Sequence, residues 1–73
     1  MVIISPKNLN SLAGTIANRR KSLAMTQADL AEKSGISRGM IALIESGARV
    51  PHLMNFVSIL SALDMVLKVE NKK

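Results

Sequence analysis

Ten Lys and Arg stand against five Asp and Glu in this chain, and their spacing offers binding rather than bond-making chemistry. The net charge of +5 points to a polyanion, either nucleic acid or an acidic membrane surface. There is no cysteine, and His52 is the single histidine. Neither a nucleophile–base set nor a cluster with metal-ligand spacing converges on one element, so no enzyme, no metal and no cofactor is expected. His52, beside a proline turn, is read as a surface residue. Phe56 is the only aromatic residue. Single-strand binders and many RNA readers stack bases on aromatic rings, which weakens those readings. Double-stranded DNA fits better, because groove reading needs no rings.

The stretch "SGISRGMIALIE", residues 34 to 45, distributes its charge unevenly. Arg38 lies near its start and Glu45 at its end. The helical face between them, Gly39, Ala42, Leu43 and Ser46, is almost bare. A helix read in the major groove must approach base edges closely, and long side chains would hold it away. Gly39 and Ala42 allow that approach. Ala42 and Leu43 are suited to thymine methyl groups, and Arg38 is the one long donor placed for a guanine O6/N7 pair. So few donors imply that methyl contacts and DNA shape carry much of the specificity.

Four helices must position this stretch. Ser5-Pro6 caps and opens the first, and Leu9, Leu12, Ala13, Ile16, Ala17, Arg20 and Leu23 recur at helical spacing. Arg20 sits on that apolar stripe, so it either snorkels or has a partner. Thr26 and Asp29 make a capping-box-like pair for a second helix from Gln27 to about Ser34, with Leu30 and Ala31 inward. Gly35 ends it. The third helix runs from about Ser37, its cap, to Ser46, with Ile41 and Ile44 inward, and Gly47 stops it. After Pro51 the fourth carries Leu53, Phe56, Val57, Leu60 and Leu63 inward.

The period then changes. Met65, Leu67 and Val69 alternate with Val66, Lys68 and Glu70, which predicts a strand over 65–70. Its partner is either Met1 to Ile4 or the same strand of a second copy. A chain of 73 residues makes one domain, marginal alone and without a staple, which favours oligomerisation. No apolar run approaches the ~20 residues of a membrane span, and MVIIS is too short for a signal peptide core, so a cytoplasmic protein is expected.

Two short helices joined through Gly35, with the second exposed, describe a helix-turn-helix. Residues Thr26 to Pro51, "TQADLAEKSGISRGMIALIESGARVP", resemble the phage repressor and Cro-type helix-turn-helix family, and the likeness extends from Leu9 to Leu63. Ser34 departs from it, since the family usually has an aliphatic residue there. The ends, "SPKNL" and "LSALDMVLKVE", resemble the HipB-type antitoxins, small bacterial dimeric repressors whose C-terminal strands pair across the two-fold axis.

The resemblance implies an all-α, compact four-helix DNA-binding domain over 1–73, with the helix-turn-helix at 27–46 and a dimer strand carrying Met65, Leu67 and Val69. It implies a nucleoid-associated repressor that binds a near-palindromic operator as a homodimer, and a HipA-type kinase toxin as further partner. Alternatives are a module that chiefly inhibits the toxin, or a stand-alone phage or host regulator. By the same resemblance Gln27 contacts phosphate or a base edge, and Ser37, Arg38, Gly39 and Ala42, with Leu43, occupy recognition positions. Lys21 and Arg49, and Arg19 beside them, are candidate phosphate partners. Arg20 would pair with Glu45, an anion otherwise misplaced at a helix C-terminus.

Overall fold

The computed structural model describes residues 9–67. The Ser5-Pro6 cap, the Met1 to Ile4 strand candidate, and Lys68, Val69 and Glu70 lie outside the described residues. Four helices follow one another: α1 (Leu9–Ser22), α2 (Gln27–Ser34), α3 (Arg38–Glu45) and α4 (Leu53–Ala62). Among the described residues, none of these is long and apolar enough to cross a membrane.

Short-range chemistry sets the boundaries. The Thr26 hydroxyl accepts from the Asp29 amide at 3.0 Å, and the Asp29 carboxylate accepts from the Thr26 amide at 2.8 Å. This reciprocal box opens α2 and satisfies two donors that would otherwise have no partner at a helix start. Gly35 closes α2 in the left-handed region at φ 74°, its amide donating to the Ala31 carbonyl, a conformation that is nearly free of cost only for glycine. Ser34 hydrogen-bonds the turn itself, donating to the Ala31 carbonyl and accepting from the Ile36 amide. A hydroxyl thus does at this place what an aliphatic side chain would do by packing. Ser37 caps α3 by accepting from the Met40 amide. The end of α1 is less comfortable: Ala24 adopts φ 58° without being glycine.

The core joins Leu12 and Ile16 of α1, Leu30 of α2, Ile36 of the turn, Ile41 and Ile44 of α3, and Ile59, Leu60, Leu63 and Met65. α2 packs against both α3 and α4, while α1 packs against α3. α4 departs from expectation. Leu53 is 63% exposed and Val57 43%, whereas Ile59 is fully buried. Asn55, Ser58 and Ser61 leave a wide apolar arc on α4, so periodicity alone does not choose which part of it turns inward. Packing onto α2 chooses the stripe of Phe56, Ile59, Leu60 and Leu63.

Beyond α4 the chain turns back on the core. Asp64 turns it at φ 55°, and the Met65 amide donates to the Leu60 carbonyl at 2.8 Å. Met65 is folded against the core of its own chain and is 6% exposed. Leu67 is half-buried against the same core and Val66 is exposed. No strand is formed by residues 65–67; a lone extended segment has no ladder to join within one chain.

Candidate nucleic-acid interface

The exposed side of α3 is built from residues three and four apart. Gly39 is exposed, Ala42 half-buried and Leu43 41% exposed, with Ser46 just beyond the helix. A methyl group added at Gly39 would meet no atom within 4 Å. No internal contact therefore requires glycine here, and the missing side chain leaves open space outside the helix. Arg38 projects at the N-terminal end, exposed and in no ion pair among the described residues. Ser37 beside it is committed to the cap through its oxygen, which leaves its hydroxyl proton to give to an acceptor.

The other end of α3 is held tightly. Arg20 Nε donates to Glu45 Oε2 at 2.7 Å and Nη2 donates to Oε1 at 2.9 Å, a two-pronged pair. Arg20 Nη1 donates to the Met25 carbonyl at 2.8 Å. The two side chains are only 10% and 7% exposed. Burial alone would push the Glu45 carboxyl up. The hydrogen bonds from Arg20 and Gln27, with the charges of Arg20 and Lys21, outweigh it and hold the group below the usual glutamate range. Glu45 in turn raises the Arg20 guanidinium above its ordinary value, chiefly through their hydrogen bond. An anion at a helix C-terminus opposes the helix dipole, and a cation on an apolar stripe lacks water. Facing each other, the two become one satisfied unit that ties α3 to the end of α1.

Gln27 belongs to the same cluster. It is half-buried at the first position of α2, and its side-chain amide donates to Glu45 Oε1 at 3.2 Å. One of its two amide hydrogens is so engaged; the other hydrogen and the oxygen remain for an outside group. Lys21 is exposed in the last turn of α1 and close enough to lower the Glu45 carboxyl. Arg49 is exposed, and its backbone amide donates to the Leu43 carbonyl at 3.2 Å, which pins it to the turn after α3. The structure thus gathers Lys21, Gln27, Arg20 and Glu45 at one end of α3 and leaves Arg38 about 10 Å away at the other. Arg19 does not join either group. Its Nε donates to the Leu63 carbonyl at 3.0 Å, so it clamps α1 to the end of α4, and its two terminal nitrogens remain for an outside acceptor.

A helix-turn-helix family model matches residues 16–66. This chain belongs to the helix-turn-helix family. The match starts at the buried Ile16 of α1 and ends just past Met65, so it takes in the clamp and all of the described core but Leu12. The cryptic phage CTXphi transcriptional repressor RstR of Vibrio cholerae is 40% identical over 50 residues, 68% of this chain and 45% of that protein. The chain therefore spans less than half the length of this curated relative. The crystal structure of the restriction-modification controller protein C.AhdI from Aeromonas hydrophila superposes with a TM-score of 0.77 at 27% identity, covering 82% of this chain and 91% of that one.

Two contacts around this helix-turn-helix are not expected from the residues. The carbonyl of Met25 carries no side-chain signal. The clamp made by Arg19 has one: Arg19 stands three residues after Ile16, at the edge of the same apolar stripe that holds Arg20.

Proposed function

We propose that the chain is a sequence-specific, double-stranded DNA-binding transcriptional repressor that acts as a homodimer on a near-palindromic site. The observation that carries this is the face of α3, where an open flank at Gly39 lies beside Ala42 and the exposed Leu43. Such a face suits close approach to a major groove. Arg38 reads a guanine edge, Leu43 and Ala42 meet thymine methyls, and Lys21, Arg49 and the free hydrogen of Gln27 take phosphates. In a dimer the two α3 helices lie about 34–36 Å apart or a multiple of it, and residues 65–70 contribute to the pairing of copies. A role as repressor agrees with the phage relative, and a role on the nucleoid follows from it.

Selection of bound sequences from a random duplex pool tests the reading. A two-fold-related consensus supports it, and recovery of no preferred sequence refutes it. Within this reading, the resemblance of both chain ends to HipB-type antitoxins supports a toxin–antitoxin operon and a HipA-type kinase partner. The phage and restriction-modification relatives favour a stand-alone regulator. Co-purification from the native host separates the two: a kinase-like protein retained at stoichiometric amounts supports the antitoxin role, and its absence supports the regulator.

A further inference from the structure

Polar groups stand at the two ends of the α3 face, and carbon alone stands between them. Arg38 and the Ser37 hydroxyl lie at the N-terminal end, and Gln27 stands by Glu45 at the other. From Gly39 to Ile44 the chain reads GMIALI, and Met40, whose sulfur is the single side-chain heteroatom in that run, packs against the core. Ser46, next along the same face, has its hydroxyl committed inside the protein: it donates to the Leu43 carbonyl at 2.9 Å and accepts from the Ala48 amide at 3.3 Å. Leu43 is nevertheless 41% exposed, on a helix whose other large aliphatic side chains, Ile41 and Ile44, are buried. The middle of the face therefore offers a surface for an apolar group and no hydrogen bond.

We infer that the base pair under Ala42 and Leu43 is read through its C5-methyl group alone, so that the protein accepts 5-methylcytosine where it accepts thymine and its occupancy follows the methylation state of the DNA. The inference rests on the proposed function, in which α3 enters a major groove. There thymine presents its methyl group beside the O4 acceptor, whereas cytosine presents the N4 donor. 5-Methylcytosine joins the methyl group of the first to the donor of the second. A polar side chain would tell the two bases apart, because one edge calls for a donor and the other for an acceptor. Ala42 and Leu43 supply neither, and water satisfies either edge because it both donates and accepts. What remains to be read is the methyl group. Uracil and unmodified cytosine lack it and are rejected alike, and burial of one such group is worth about fourfold in affinity. A C·G pair at this position thus lowers occupancy when unmodified and restores it when methylated at C5.

The duplex selected from an unmethylated pool supplies the probe. Each thymine of one half-site is replaced in turn by deoxyuridine, which removes the methyl group and leaves the hydrogen-bonding edge unchanged. At the pair where this costs most, T·A is then replaced by C·G and by 5-methylcytosine·G. Titration of the full chain should show thymine above uracil, and 5-methylcytosine above cytosine, each by about fourfold. Leu43→Ala, with its helices checked by far-ultraviolet circular dichroism, should bring both ratios towards one together and leave the preference read by Arg38 in place. A merely structural effect would weaken every duplex alike and leave the ratios standing. Uracil equal to thymine at every position overturns the inference, as does a selected half-site without thymine. So does 5-methylcytosine bound no tighter than cytosine, which would show that the O4 edge is read. Both ratios unchanged in Leu43→Ala overturn it as well, by placing the methyl contact on another residue. Each of these outcomes leaves DNA reading intact, because a site has been selected. A pool that yields no preferred site removes that reading, and the inference with it.

Discussion

Replacing Glu45 with alanine would remove one acceptor atom pair and leave three donors behind. Arg20 Nε and Nη2, and the amide of Gln27, all converge on that carboxylate. Arg20 is 9% exposed and keeps only its bond to the Met25 carbonyl. Breaking a buried pair from one side costs about 3–5 kcal/mol, because the surviving charge is left uncompensated. Some water reaches this pair, so about 3 kcal/mol is the expected loss. A domain of this size has a total stability of about 4–11 kcal/mol, so the loss is a large share of it. The thermal midpoint should fall by about 4–8 °C for each kcal/mol. Glu32→Ala is the control: Glu32 is exposed on α2, and such changes stay within about 0.5 kcal/mol.

The same pair has a signature in pH. The folded Glu45 carboxyl lies below its unfolded value. Its contribution is therefore complete above the unfolded value of about 4.3 and is lost as pH falls through the folded one. Urea unfolding of wild type and Glu45→Gln, at one protein concentration and between pH 7 and pH 3, should show a gap that is constant down to about pH 5 and closes below it. Equal midpoints for Glu45→Ala and Glu32→Ala at pH 7 would refute the reasoning, as would a gap that widens in acid.

Gly39→Ala should raise stability by about 0.8–1 kcal/mol, since the helix gains a better former and nothing obstructs the methyl. It should weaken DNA binding by about 1–3 kcal/mol if the backbone touches the groove; unchanged affinity in titration would show that it does not. Arg38→Ala should relax preference at one base pair per half-site by about 1–3 kcal/mol, whereas Lys21→Ala should weaken all duplexes alike and lower the salt slope by about one unit. Selection and salt titrations of both variants check this, and an unchanged consensus for Arg38→Ala would assign that residue to phosphate. Truncation after Leu67 leaves the buried Met65 in place and should weaken self-association; sedimentation unaltered by the cut would exclude residues 68–70 from the interface. Ala24→Gly should stabilise by about 1–2 kcal/mol by relieving a left-handed alanine, measurable as a higher urea midpoint.

Much of this arrangement is legible in the residues because the governing rules act over three or four positions. Thr26 and Asp29 announce the start of α2, Gly35 its end and Ser37 the start of α3, each through bonds that reach no further than a turn. Arg20 is legible as an anomaly, a cation on an apolar stripe, although its partner lies 25 positions away and comes from the family resemblance. The inner face of α4 is not legible. Asn55, Ser58 and Ser61 mark only a narrow polar side, and the apolar arc opposite is wide, so tertiary packing decides that Ile59 enters the core and Leu53 does not. The inward aim of Met65 is not legible either: alternation of side chains describes an extended segment but not the turn at Asp64 that precedes it. Arg19, Arg20 and Lys21 stand in a row with one sign of charge, yet three different environments divide them among a clamp to α4, a clamp to α3 and an exposed position.

The carboxylate of Glu45 accepts from α1 and from α2 at once, and this bears on the timing of recognition. A helix of eight residues is too short to persist by itself in water, yet α3 is capped by Ser37 at one end and anchored by Glu45 at the other before any duplex is present. The ordering entropy is then lost during folding and is not charged against binding. Association should follow a single exponential whose rate rises linearly with DNA concentration, without the plateau that a slow ordering step imposes. Acid that protonates Glu45 would unfasten one end of α3, and the same reader would begin to bind by folding onto the groove.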